Sequence, residues 1–76
     1  MGEGVEFFTV KTPSKLVGKN LGESKIGSLT GLTVLAVRSK EEVFANPLPT
    51  TIMPRKSKLN VLGTSEQLQK FKEVFK

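Results

Sequence analysis

The sequence predicts a small α+β domain: a mainly antiparallel sheet of about four strands, with a short helix after the first strand and a second helix at the C-terminus. Three observations predict it. Apolar and β-branched runs recur at 5–10, 31–38 and 59–62, and the middle run continues after a polar turn into a hairpin over 32–45. Two separate capping-box spacings mark two helix starts. Only the last segment carries apolar residues at a helical i, i+3, i+7 spacing. Seventy-six residues suffice for one domain and no more.

Val5 to Val10 reads as the first strand, with Val5, Phe7 and Thr9 on one face and Phe8 and Val10 on the other. Apolar residues on both faces predict a strand covered on both sides, in part by another chain. Pro13 ends it. Lys15 to Gly18 is too short and too close to glycine for a long helix. Asn20 with Glu23 three residues later is a capping box, so a short helix is expected over Leu21–Lys25. Lys11, Lys15 and Lys19 are four apart, but Pro13 and Gly18 interrupt any continuous helix, leaving them scattered and solvated.

Gly31 to Arg38 is the clearest strand, and its nearly unbroken apolar character makes it central. Ser39 to Glu42 is a polar turn, Val43 to Ala45 returns as a strand, and Asn46-Pro47 ends it. Leu59 to Leu62 is a further strand closed by Gly63. Thr64 and Gln67 then open the terminal helix, where Leu68, Phe71 and Phe75 form a core stripe. Glu66 near its start and Lys70, Lys72 and Lys76 towards its end suit the helix dipole. All five phenylalanines are expected in the core. The domain is read as residues 5–76, with residues 1–4 as linker or expression-derived sequence.

Composition narrows the function. There is no Cys, His or Asp, which removes disulfides, thiolate and imidazole metal sites and the commonest general base. Ser57 beside Lys56 and Lys58 reads as an exposed turn and not as the buried pocket a Ser–Lys pair would need. Glu41 and Glu42 would point to opposite faces of a strand, so they are read as a solvated turn. The chain is therefore expected not to be an enzyme and to hold no cofactor or metal. Twelve basic against seven acidic residues leave a net charge of +5, which favours anionic partners; an ordinary solvated surface carries as much. The glycines form neither GxGxxG nor a Walker loop, and the one weak phosphate signal is the short helix's N-terminus near Asn20. No basic and aromatic interleaving supports nucleic-acid binding. No apolar run spans a bilayer and no secretory signal is present. A chain this short and free of disulfides is marginal alone, which makes oligomerisation the expected source of added stability.

The order of elements and four segments resemble the TrkA-C domain, the C-terminal domain of RCK (regulator of potassium conductance) proteins. The segments are Ser14–Glu23 (SKLVGKNLGE), Gly31–Ser39 (GLTVLAVRS), Asn46–Met53 (NPLPTTIM) and Lys58–Phe71 (KLNVLGTSEQLQKF). Lys56-Ser57 stands where that family has Gly-Asp. The resemblance implies a cytoplasmic regulatory module that pairs as a homodimer. It would follow a nucleotide-binding RCK domain or hang from a potassium channel or other cation transporter. It also implies a small anionic nucleotide, cyclic di-AMP first, in the cleft between two copies. Carried onto this chain, that cleft would involve Val34, Leu35, Val37, Arg38, Phe44, Asn46 and Pro47, with aliphatic groups against adenine and Arg38 and Asn46 on phosphate or base edges. The alternatives are a structural dimerisation module without ligand and a basic nucleic-acid-binding domain.

Overall fold

The computed structural model describes residues 4–76. The elements run β1 (Glu6–Lys11), a single 3-10 turn (Ser14–Leu16), α1 (Leu21–Ser24), α2 (Ile26–Thr30), β2 (Thr33–Arg38), β3 (Val43–Ala45), β4 (Lys58–Gly63) and α3 (Ser65–Val74). The four strands form one sheet in the order β1-β4-β2-β3, with every pairing antiparallel. The expected α+β class is what the chain adopts. β2 lies inside the sheet, and β4, which follows the long crossing segment from β3, is the other interior strand.

Register fixes the faces, because residues directly opposite one another in antiparallel strands share a face. Phe8, Val61 and Val34 form one inner row; Val10, Leu59, Val37 and Phe44 form the next. The core gathers Leu16, Ile26, Leu32, Val37, Met53, Leu59, Val61 and Phe71 on this side, under the 3-10 turn and the helices. Each fully buried aliphatic contributes about 1.5–3 kcal/mol. The outer face carries Phe7, Leu62 and Thr33 in one row, then Thr9, Asn60, Ala36 and Ala45, then Lys11, Lys58, Arg38 and Val43. Asn60 is buried in the middle row and accepts a hydrogen bond from the Thr9 hydroxyl at 3.2 Å.

A β-bulge at Leu35 sets these faces. The register with β4 slips between Val34 and Ala36, so Val34 and Val37 both point inward and Arg38 points outward with Lys58. Plain alternation from Val34 would have put Ala36 and Arg38 inward and Val37 outward.

Both capping boxes form. Asn20 accepts from the Glu23 N–H at 2.7 Å while Glu23 accepts from the Asn20 N–H at 3.0 Å. Thr64 and Gln67 do the same at 3.1 and 2.9 Å. Two expectations change. The first helix stops at Ser24 because Lys25 turns left-handed (φ 54°), and a second short helix, α2, follows at once; Gly31, expected to open β2, instead ends α2 at φ 85°. Not every phenylalanine is core: Phe7 is 58% exposed, on the outer face of an edge strand, and Phe44 is exposed on β3 at the other edge. β1 is covered by its own chain on one face only, leaving Val5 and Phe7 open. Of residues 1–4, read as linker or expression-derived sequence, 1–3 lie outside the described residues, and Gly4 is exposed with no regular structure.

Candidate functional site

The crossing segment after β3 is held by main-chain hydrogen bonds to the start of α1. Leu21 N–H donates to Thr51 C=O (3.1 Å), Gly22 N–H to Pro49 C=O (2.9 Å) and Gly18 N–H to Met53 C=O (2.8 Å). Met53 N–H returns a bond to Lys19 C=O at 3.0 Å, and Asn20 bridges to Ile52. At the segment's start, Asn46 N–H donates to Leu35 C=O at 2.8 Å, which uses the bulge carbonyl to set Pro47 beside Val34. Asn46 pays for this with a left-handed φ of 50°, which asparagine tolerates well.

Between this segment, α1, α2 and the start of β2 lies a groove of about 240 Å³. Leu21, Ile26, Leu32, Val34, Pro47 and Pro49 give it apolar walls, with Gly22, Gly27 and Ser24 completing it. No lining residue is charged. Gly22 keeps its wall close: a Cβ there would sit 3.4 Å from Pro49 Cβ. Around the groove and along the crossing segment, Leu29, Leu48 and Ile52 are exposed, as are Val43 and Phe44 on the β3 edge.

The residues anticipated from sequence divide into three sets. Val34 and Pro47 line the groove. Leu35 and Asn46 are the chain neighbours of Val34 and Pro47, and Phe44 stands opposite Val37 on the β3 edge; none of the three is in the groove lining, Leu35 being half-buried and the other two exposed. Val37 and Arg38 are elsewhere. Val37 is wholly enclosed, because the bulge turns it into the core, and no ligand reaches it in this chain. Arg38 is at the far end of β2, in a different cleft among other basic residues. The N-terminus of α1 near Asn20 is already occupied by the Glu23 carboxylate, so it is no phosphate site. Sequence reading missed Leu21, Ile26, Leu32 and Pro49. Their only sequence signal is apolar character, which core and groove share.

The turn before β4 differs from its expected form. Ser57 is 3% exposed, not part of an open turn. Its hydroxyl donates to Pro54 C=O at 2.6 Å, so the 2.7 Å contact with Thr12 Oγ1 is a bond that Thr12 donates. Thr12 N–H also donates to Ser57 C=O at 3.0 Å. Among the described residues, no three His, Cys, Asp or Glu side chains come together as a metal site, and no helix is long and apolar enough to cross a membrane.

Comparison with known proteins follows the same outline. The family model of the TrkA-C domain matches residues 5–76. A probable potassium channel protein 2 of Methanocaldococcus jannaschii is 30% identical over 69 residues, covering 91% of this chain and 20% of that protein. The crystal structure of the GsuK RCK domain superposes with a TM-score of 0.86 at 29% identity, over 96% of this chain and 16% of that one. The RCK C domain of the potassium transport protein KtrA, solved in complex with cyclic diadenosine monophosphate, superposes with a TM-score of 0.84 over 92% of this chain and 82% of that one. At 18% identity, that last likeness is one of fold. The chain spans about a fifth of the length of the channel protein it matches.

Proposed function

The chain belongs to the TrkA-C domain family, and from that premise we propose that it is a dimer-forming regulatory module on the cytoplasmic side of a potassium channel or other cation transporter, sensing a small anionic nucleotide. Cyclic di-AMP is the first ligand to test, since a domain of this fold has been solved with it.

The observation that carries the reading is the groove. At about 240 Å³ it is smaller than the roughly 300–1,000 Å³ of common small-molecule sites. A second copy, related by a two-fold axis, would double it, and the exposed Leu29, Leu48 and Ile52 give such a copy apolar surface to cover. Cyclic di-AMP is itself two-fold symmetric, so each half would meet the same residues. Val34, Leu21 and the two prolines would hold adenine by apolar contact. Phe44, Asn46 and the Leu35 bulge would lie at the rim. With no charged lining residue and Arg38 out of reach, the phosphates would be met at the rim by main-chain donors and solvent.

Calorimetric titration with cyclic di-AMP, alongside ATP and NADH, tests the ligand. The expected result is saturable heat at one cyclic di-AMP per two chains, lost in Val34→Glu. No heat at high micromolar nucleotide sinks the ligand assignment. A dimer by light scattering with no ligand-induced thermal shift would then favour a purely structural dimerisation module, a reading the same exposed apolar residues also support.

A further inference from the structure

The opposite end of β2 presents a different chemistry. Lys11, Lys58 and Arg38 stand directly opposite one another across β1, β4 and β2, on the outer face of the sheet. Directly opposed side chains lie about 4.5–5.5 Å apart at Cβ, and like charges so placed destabilise the sheet. Arg38 and Lys58 continue into a cleft of about 600 Å³ between the β2–β3 turn and the turn at 54–58, where Lys40, Arg55 and Lys56 join them. Glu41 and Glu42 are the acids in its lining, so five cations face two carboxylates. An adjoining recess of about 340 Å³ shares Lys56 and Lys58 and adds Lys11. Six of the chain's twelve basic residues thus converge on one end of a domain with a net charge of +5.

Two features show that the arrangement is held in place. The 54–58 turn is braced by the Ser57 hydroxyl, which bonds Pro54 and Thr12, so the cations flanking Ser57 project from a fixed frame. Lys56 adopts a left-handed φ of 59°. A non-glycine residue bears a steric cost in that conformation, which glycine avoids. A lysine kept there accepts strain and adds charge to a cluster already repelling itself, a combination that marks functional sites.

We propose that this cleft is a second ligand site, taking a compact polyphosphate such as the di- or triphosphate group of a small molecule. The cleft's volume lies in the range of small-molecule sites. No aromatic side chain lines it, so recognition falls on the phosphates and not on a base. Glu41 and Glu42 oppose a continuous phosphate backbone or a lipid surface, while a short polyphosphate can sit among the five cations. The site is independent of the apolar groove and shares no lining residue with it.

The test is an amide-resolved NMR titration of the 76-residue chain with sodium tripolyphosphate at low ionic strength. Sodium sulfate at matched ionic strength, phosphatidylglycerol vesicles and a DNA duplex are run as parallel arms. The expected result is saturable shifts confined to residues 11–12, 38–42 and 54–58. Arg55→Gln combined with Lys58→Gln should weaken binding by roughly a hundredfold or more without lowering the thermal midpoint, since each lost charge-assisted contact is worth about tenfold or more and Lys58→Gln also relieves the like-charge row. Lys56→Gly should weaken it without loss of stability. Three results overturn the proposal: no saturable shift at millimolar tripolyphosphate, an equal response to sulfate, or binding of vesicles or duplex without binding of tripolyphosphate.

Discussion

Thr12 and Ser57, 45 positions apart in sequence, are joined by two bonds: hydroxyl to hydroxyl at 2.7 Å, and Thr12 N–H to Ser57 C=O at 3.0 Å. They tie the end of β1 to the start of β4 just beyond the last strand pair, Lys11 with Lys58. Ser57 is buried, so removing its hydroxyl leaves Pro54 C=O without this donor and Thr12 without its acceptor. Ser57→Ala should lower the unfolding free energy by about 1–3 kcal/mol in urea melts. Thr12→Val should cost less, and the double variant should cost less than the sum of the two. Simple additivity would mean the two hydroxyls are not coupled.

Lys56 next door tests backbone strain. Replacing it by glycine relieves a left-handed residue but admits more freedom to the unfolded chain, and the two terms together leave a gain. Lys56→Gly should stabilise the domain by up to about 1 kcal/mol. Gly31→Ala should act in the opposite direction. Its φ is 85°, and a Cβ there would come 2.6 Å from Gln67 Nε2. Thermal denaturation of both variants gives the signs; a destabilised Lys56→Gly chain would show that the side chain's packing outweighs its strain.

Gln67 links the helix cap to the sheet. Its side chain accepts the Thr64 N–H and lies where a Cβ on Gly63 would reach. Gln67→Ala should cost about 1 kcal/mol through loss of the reciprocal cap. Gly63→Ala should cost about 1–3 kcal/mol, because the new methyl would also lie 2.5 Å from Leu32 Cδ2. In the Gln67→Ala background Gly63→Ala should cost less, which denaturant melts of the four chains would reveal.

Phe7 and Phe71 should behave as different residues despite their shared type. Phe71 is in the core, its ring 5.2 Å from that of Phe75. Phe71→Ala should cost about 3–5 kcal/mol, enough to unfold much of a domain this small. Phe7→Thr should change stability by no more than about 0.5 kcal/mol in the isolated chain. A large loss for Phe7→Thr at high protein concentration, absent on dilution, would mean that another copy covers the outer face.

Much of the candidate groove was hard to read because its residues look like core. Val34 and Pro47 were anticipated from the family resemblance and do line it. Leu21, Ile26 and Leu32 were not, since an apolar side chain carries no mark of whether a second element or open solvent will lie over it. α2 was missed for a related reason: its start depends on Lys25 turning left-handed, and Gly27 weakens its intrinsic helical signal.

What the sequence determined by itself was local. The Asn20–Glu23 and Thr64–Gln67 boxes, the aromatic stripe of α3, the Ser39–Glu42 turn and the Asn46-Pro47 stop are set by residues within a few positions of each other, so spacing alone specifies them. Tertiary structure decided everything that depends on partners far along the chain. The order β1-β4-β2-β3 makes β1 and β3 the edges and so exposes Phe7 and Phe44. The slip at Leu35 exists only in the pairing of β2 with β4, and it turns Val37 into the core and Arg38 out to Lys58. A one-residue change of register exchanges the two faces of a strand. That is why one bulge divided a site that looked continuous in sequence into an apolar groove at one end of β2 and a basic cleft at the other.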